Sequence, residues 1–236
     1  MKKIIHKADS RGFQDHGWLK AAHSFSFGNY YDPKRTHFGL LRVLNDDIVA
    51  PAMGFGTHGH DNMEIVTIPL KGSLAHKDSL GSEGLIQPGE VQIMSAGSGI
   101  RHSEFNGSKT EDVNLLQIWV FPKERNIQPR YDQRSFDSAG SKNTFTTLVS
   151  PDSESGAMWI NQDAFFSKGN FDGGKSVSYK IKHPGNGAYA YVIEGEAKLA
   201  DETLGRRDAI GIFDTDEFEI NVIKDSIILV IDVPME

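Results

Sequence analysis

The sequence has 236 residues, no cysteine and a formal net charge of −7. These values exclude a disulfide framework and a thiolate metal site, and the acidic balance without a long basic run argues against direct binding of nucleic acid. No apolar run has the length that a signal peptide or a membrane span needs, so we expect a cytoplasmic protein.

Glycine content and the spacing of apolar segments indicate a turn-rich β protein. There are 24 glycines in 236 residues, which exceeds the usual share of roughly 7%. Residues 24–31 are rich in aromatic side chains but show no clear period. The apolar pattern of the rest of the first half predicts short strands at residues 42–47, 63–70, 74–79, 91–95 and 113–121. Because glycine or proline turns separate them, we predict an all-β fold of sandwich or barrel type.

The second half repeats this pattern after a polar, proline-bounded break. We predict a linker at residues 130–143. Residues 191–197 resemble residues 68–74, since each has an apolar strand, a glycine turn and a returning strand. The repeat predicts two copies of one barrel, in domains at residues 1–133 and 144–236.

Two pairs of side chains predict a metal site in the first half. His58 and His60 are two residues apart, as are His102 and Glu104, so each pair shares one face of an extended strand. Neighbouring glycines let the backbone bend or approach a ligand. If both faces look into one barrel, three imidazoles and a carboxylate converge, which suits a divalent transition metal.

These residues resemble the two cupin motifs, and within the cupins the chain is similar to the pirin family, close to bacterial members described as quercetin 2,3-dioxygenases. The resemblance covers most of residues 35–135, is architectural in the second half, and rests on His58-Gly59-His60 with Glu64, Leu74-Ala75-His76-Lys77-Asp78-Ser79 and Ala96-Gly97-Ser98-Gly99-Ile100-Arg101-His102-Ser103-Glu104. It implies two stacked cupin barrels, of the double-stranded β-helix or jelly-roll type. It also implies one metal in the first barrel, at His58, His60, His102 and Glu104.

The carboxylate ligand has two candidates. Most cupins use the first motif's carboxylate, here Glu64, whereas the pirin pattern uses Glu104, which we favour. Glu64 would then orient a ligand histidine or hold a proton, so both glutamates are candidate catalytic residues. His76, one strand away, is a candidate substrate-binding residue or else a partly exposed strand histidine. The second half contains only His183, so we expect its barrel to lack a metal.

The resemblance also implies a cofactor and a reaction. Fe(II) is the metal we expect first, with zinc, nickel, copper, manganese and cobalt as alternatives. The implied substrate is a small aromatic molecule, a flavonol such as quercetin. In the implied reaction, dioxygen opens the heterocycle of the flavonol and carbon monoxide is released. The rival hypothesis is a metal-binding regulatory protein that contacts a protein partner without turnover. An open apolar pocket above the metal would favour the enzyme.

Overall fold

Nearly every regular element in the computed structural model is a β-strand. Residues 1–136 and 142–235 are described, and the one departure among them is a turn of 3₁₀ helix, Ala8–Ser10. Across this described part of the chain, no helix has the length and apolar character needed to cross a membrane. The predicted all-β fold of two stacked cupin barrels is confirmed.

Two antiparallel sheets form the walls of the first barrel. The strands up to residue 135 are β1 (Lys2–His6), β2 (Gly12–Asp15), β3 (Leu19–His23), β4 (Leu41–Val49), β5 (Gly54–His60), β6 (Glu64–Lys71), β7 (Leu74–Asp78), β8 (Glu83–Ile86), β9 (Glu90–Ser95), β10 (Ile100–Asn106), β11 (Val113–Val120) and β12 (Arg130–Ser135). The larger sheet has the order β12-β9-β6-β11-β4-β3-β2, and the smaller has the order β5-β10-β7-β8.

A polar band crosses the interior of this barrel between two apolar layers. One layer includes Leu115 of β11, and the other includes Ile65 of β6 with Trp119 packed against it. Cross-strand neighbours on the larger sheet make the band, which contains His23, Asn45, Gln117, Thr67 and Gln92. All five are buried. Buried polar side chains need partners, so the band is a natural location for chemistry.

The outer face of the larger sheet packs against the second barrel. Val66, Leu116 and Ile118 from the first barrel share one buried core with Tyr189 and Ile231 from the second. Because β6 and β11 are covered on both faces, their sequences are almost continuously apolar rather than alternating.

The second barrel is a single nine-stranded sheet. Its strands beyond residue 142 are β13 (Phe145–Ser150), β14 (Met158–Trp159), β15 (Phe165–Phe171), β16 (Ser176–Lys180), β17 (Asn186–Leu199), β18 (Glu202–Leu204), β19 (Ala209–Phe213) and β20 (Glu217–Pro234). The long strands β17 and β20 pair along most of their length. A core that includes Phe171, Tyr179 and Phe218 packs its side chains together.

The repeat predicted from residues 68–74 and 191–197 has a backbone counterpart. Gly72 and Gly195 occupy the same position in the two segments and have φ angles of +75° and +92°. At Gly195 a Cβ atom would lie 2.2 Å from the carbonyl oxygen of Asp225. Both positions therefore require glycine.

The N-terminal strand differs from the predicted division at residue 133. β1 pairs with β19 and so completes the sheet of the second barrel. The physical reason is that Ile5 packs against the core of the second barrel, while His6 bonds the Tyr189 hydroxyl at 2.8 Å. Of the predicted linker, residues 130–135 form β12, and residues 137–141 lie outside the described part of the chain.

Candidate metal centre

Three histidine side chains converge inside the first barrel. His58 and His60 are on β5, and His102 lies opposite His58 on the neighbouring strand β10. The Nε2 atom of His102 lies 3.0 Å from Nε2 of His60 and 3.1 Å from Nε2 of His58. The spacing rule for extended strands thus brings the three rings together as the sequence predicted.

The nitrogen positions fit a single divalent metal ion. Two nitrogens that each lie about 2.1 Å from an ion, at right angles, are about 3.0 Å apart. Burial, followed by the neighbouring His58, lowers the pKa of His102 to about 3 and that of His60 to about 4. Both rings are therefore neutral at physiological pH, which is the form that binds a metal.

Glu104 lies beside the cluster with one carboxylate oxygen held and one free. Its Oε2 accepts a 3.1 Å hydrogen bond from Nε2 of Gln117, and its buried Oε1 has no partner among the described residues. A carboxylate oxygen lies within 4.8 Å of ring nitrogens of His102 and His76. Burial raises the pKa of Glu104 to about 7. A cation bound nearby would lower that pKa.

The structure does not bring Glu64 to this cluster, which corrects the expectation that it is the alternative metal ligand or orients a ligand histidine. Ile65 lines the cavity beside the histidines, whereas the Glu64 carboxylate contacts Asn161 of the second barrel. Its Oε2 accepts hydrogen bonds from the Ser95 hydroxyl at 2.8 Å and from the backbone N–H of Asn161 at 3.1 Å. The alternation starting at His60 does not continue to Glu64 because residues 61–63 lie between strands of different sheets.

His76 is buried behind the cluster rather than exposed. It lies directly opposite Glu104 on β7, and its ring is 5.4 Å from that of His102. Its Nε2 bonds Asp78 at 3.0 Å, and its ring stacks on Tyr131 at 4.6 Å. It is absent from the described lining of the cavity beside the metal site. His76 thus lies outside the cavity but close to His102 and Glu104, with which it forms a second group of side chains that could hold a metal ion.

A cavity of about 370 Å³ opens in front of the histidines. His58, His60 and Glu104 form one part of its wall. Aromatic and aliphatic side chains form much of the rest, among them Phe27, Phe55, Ile65 and Trp119. The Trp119 ring lies 4.9 Å from that of His60. The size and the apolar walls of this cavity are those of a small-molecule site.

Sequence reasoning did not identify three polar residues of the cavity wall. His23, Asn45 and Asp47 all line the cavity, and all are buried. Burial, with Asp46 and Glu104 nearby, raises the pKa of Asp47 to about 8. A signal was present, since Asn45 and Asp47 are two residues apart in a strand whose remaining inward positions are apolar.

Comparison with known proteins identifies the family. A family profile described as Pirin matches residues 5–120, and one described as Quercetinase C-terminal cupin domain matches residues 147–233. Over 230 residues the chain is 40% identical to the quercetin 2,3-dioxygenase of Escherichia coli (strain K12), covering 98% of each chain. The chain belongs to the pirin family.

Other pirin-family proteins match over similar lengths. A pirin-like protein of Caulobacter vibrioides is 38% identical, with 95% of this chain and 96% of that protein covered. The crystal structure of the bacterial pirin YhhW from Escherichia coli in complex with nickel(II) has a TM-score of 0.94, 38% identity and 100% coverage of both chains. The chain thus has the fold of a bacterial pirin, and its His/Glu cluster is a group of side chains that could hold a metal ion.

Proposed function

We propose that this pirin-family chain is a metal-dependent dioxygenase that opens the heterocycle of a flavonol. The observation that carries the proposal is the position of the three-histidine cluster. The side chains of His58 and His60 from this cluster line an apolar cavity. The names of relatives that match nearly the whole chain support the same reaction class.

Fe(II) is the metal proposed for the reaction. His58, His60 and His102 would hold it, with Glu104 as the fourth ligand through its unpartnered oxygen. A site of imidazoles and one carboxylate, with no thiolate, suits non-haem iron and dioxygen. When bound, the metal supplies Lewis acidity that stabilises the enolate oxygen of the substrate.

The protein's own side chains supply orientation and a proton acceptor. Trp119 and Phe27 pack edge to face at 5.3 Å on one side of the cavity, which gives a flat ring an apolar surface. The Gln117 amide holds one oxygen of Glu104, and the other has no partner among the described residues. We expect Glu104 to take the proton of the flavonol hydroxyl, leaving the enolate that reacts with dioxygen.

The same cavity supports an enzyme over the rival regulatory role. A regulator that uses its metal only to set its conformation needs no space beside the ion. Here a cavity of about 370 Å³ adjoins the ligand histidines, which is the feature expected of a substrate site.

Flavonol turnover tests the proposal. Quercetin is added anaerobically to iron-loaded protein, and oxygen is admitted afterwards. We expect an absorbance shift on binding, then loss of the flavonol band with release of carbon monoxide. The His58→Ala/His60→Ala variant should show neither turnover step, while His183→Gln, changed in an exposed loop, should match the wild type. Wild-type protein with verified iron and no turnover above the double variant would contradict the proposal.

A further inference from the structure

The wall formed by β3 and β4 carries two buried polar side chains that have unused hydrogen-bonding capacity. His23 on β3 pairs with Asn45 on β4, and Asp47 follows two residues later on the same face. His23 and Asp47 are 3% and 5% exposed, yet both line the cavity. Buried polar atoms without partners are uncommon in folded proteins, so their position beside a cavity points to a ligand.

The tautomer of His23 follows from its neighbour. Its Nδ1 lies 2.9 Å from Oδ1 of Asn45. Because a carbonyl oxygen only accepts hydrogen bonds, Nδ1 carries the proton and Nε2 presents a lone pair. That Nε2 atom is buried and has no partner among the described residues. Burial also lowers the pKa of His23, which keeps the ring neutral. Its unmet need is therefore a hydrogen-bond donor.

Asp47 offers a second unpaired group on the same wall. Its Oδ1 is buried without a hydrogen-bond partner in the described part of the protein. A carboxyl group in such surroundings gains most from a ligand oxygen or hydroxyl that replaces the water it has lost. His23 and Asp47 are diagonal neighbours on one sheet face, a separation of roughly 7–8 Å between backbone positions. Two groups at that spacing can bind one hydroxylated ring.

Aromatic contacts connect this wall to the metal centre. The His23 ring lies 5.5 Å from Phe27, the Phe27 ring lies 5.3 Å from Trp119, and the Trp119 ring lies 4.9 Å from His60. Phe27 and Trp119 thus lie between His23 and His60 on one side of the cavity, whereas Asp47 lies near Glu104. A flat aromatic ligand in the cavity can pack against these rings and also reach the polar side chains of the β3–β4 wall.

We propose that His23 and Asp47 form a hydroxyl-recognition site that selects aromatic ligands bearing hydroxyl groups in addition to the one that faces the histidine cluster. The ligand hydroxyl donates its hydrogen to Nε2 of His23, and Asp47 bonds the same or an adjacent hydroxyl. The inference takes its ligand class from the function proposed above. It assigns specificity to residues that are separate from the metal-binding side chains.

Two flavonols separate this role from metal binding. Quercetin has hydroxyls on both outer rings, whereas 3-hydroxyflavone keeps only the hydroxyl of the heterocycle. Affinities are measured anaerobically by calorimetry on full-length protein loaded with nickel(II). We expect the wild type to bind quercetin roughly tenfold more tightly, as one or two buried hydrogen bonds allow.

His23→Phe keeps the ring shape and removes the acceptor, and Asp47→Leu removes the carboxyl at similar size. In each variant the ratio of the affinity for quercetin to that for 3-hydroxyflavone should fall to about one. The affinity for 3-hydroxyflavone should stay unchanged, which also shows that the variant folds correctly. His183→Gln should keep the wild-type preference. Asp47→Leu serves as the second test if His23→Phe does not fold.

An unchanged preference in both variants, no preference in the wild type, or no binding of either flavonol would overturn the inference. If selective binding behaves as expected but iron-loaded protein gives no oxygen-dependent turnover, the hydroxyl site stands and the dioxygenase proposal fails. If turnover occurs with no preference between the two flavonols, the dioxygenase proposal stands and the hydroxyl site fails.

Discussion

The side-chain amide of Gln117 donates a 3.1 Å hydrogen bond to Oε2 of Glu104 and so connects the two sheets of the first barrel beside the histidine cluster. The Thr67 hydroxyl in turn donates to Oε1 of Gln117 at 3.1 Å, which fixes the orientation of the amide. Hydrogen bonds of this kind hold a metal-binding carboxylate in one rotamer. The polar band of the barrel therefore sets the direction in which Glu104 presents its free oxygen.

Replacing Gln117 by leucine should weaken metal binding. Gln117→Leu keeps the approximate side-chain volume but leaves Glu104 without its donor, and loss of such a supporting contact typically costs about 10–100-fold in metal affinity. Competition with a chelator of known affinity measures the change. Gln128→Leu, at an exposed position, is the matched control and should bind metal as the wild type does. Equal affinities for Gln117→Leu and the wild type would contradict the role given to Gln117.

The two glutamates should differ in their effect on the metal. Glu104→Gln removes an anion beside the three histidines, so metal retention should fall strongly. Glu64→Gln changes a side chain that bonds Ser95 and Asn161 instead, so retention should stay near that of the wild type. Metal content after dialysis against a weak chelator decides between them. Retention in Glu104→Gln together with loss in Glu64→Gln would reverse the ligand assignment.

The buried carboxyl of Glu64 predicts a pH dependence of stability. Burial raises its pKa from 4.5 to about 7 in the folded protein. The folded state therefore holds the proton more tightly than the unfolded chain does. This stabilisation is complete below about pH 4.5 and is lost as the pH rises through about 7. A shift of this size corresponds to at most about 3 kcal/mol.

Denaturant unfolding of metal-free protein at a series of pH values measures this effect. Between about pH 5 and about pH 8 the free energy of unfolding should fall less in Glu64→Gln than in the wild type, because glutamine does not titrate. Asp47 and Glu104 contribute in the same direction in both proteins, so the difference between the two curves isolates Glu64. Parallel curves would show that Glu64 is not the titrating group.

The histidine cluster could be predicted from sequence because it depends on local geometry alone. His58 and His60 share a strand, and His102 lies on the strand that pairs with it, so alternation along β5 and β10 was sufficient. Glu64 could not be placed in this way, since residues 61–63 connect two different sheets and break the alternation. Its partner Asn161 lies 97 positions further along the chain, which no local pattern reveals.

The cavity wall and the first strand depended on similarly distant contacts. His23 and Asp47 can be recognised as cavity residues only when β3 and β4 are known to face the β5–β10 pair. β1 pairs with β19, which is more than two hundred residues away in the sequence. Without β1, β19 would be an open edge of the sheet in the second barrel. Burying such an edge satisfies backbone groups that local sequence does not identify.

The shared core between the barrels predicts that they depend on each other for stability. Phe166 is fully buried there. Phe166→Ala should lower the free energy of unfolding by about 3–5 kcal/mol, since it removes a large side chain and leaves a cavity. Phe13→Ala, at a position that is 65% exposed, should change it by no more than about 0.5 kcal/mol. Denaturant titration checks both, and equal effects would contradict the packing.

The source of oxygen in the product tests the proposed reaction most directly. Iron-loaded wild-type protein is given quercetin and heavy-isotope dioxygen, and the ring-opened product is analysed by mass spectrometry. A dioxygenase at the His58, His60 and His102 cluster predicts that both atoms of labelled dioxygen enter the product, and that His60→Ala gives no labelled product. Product without label, or equal labelled product from His60→Ala, would contradict it.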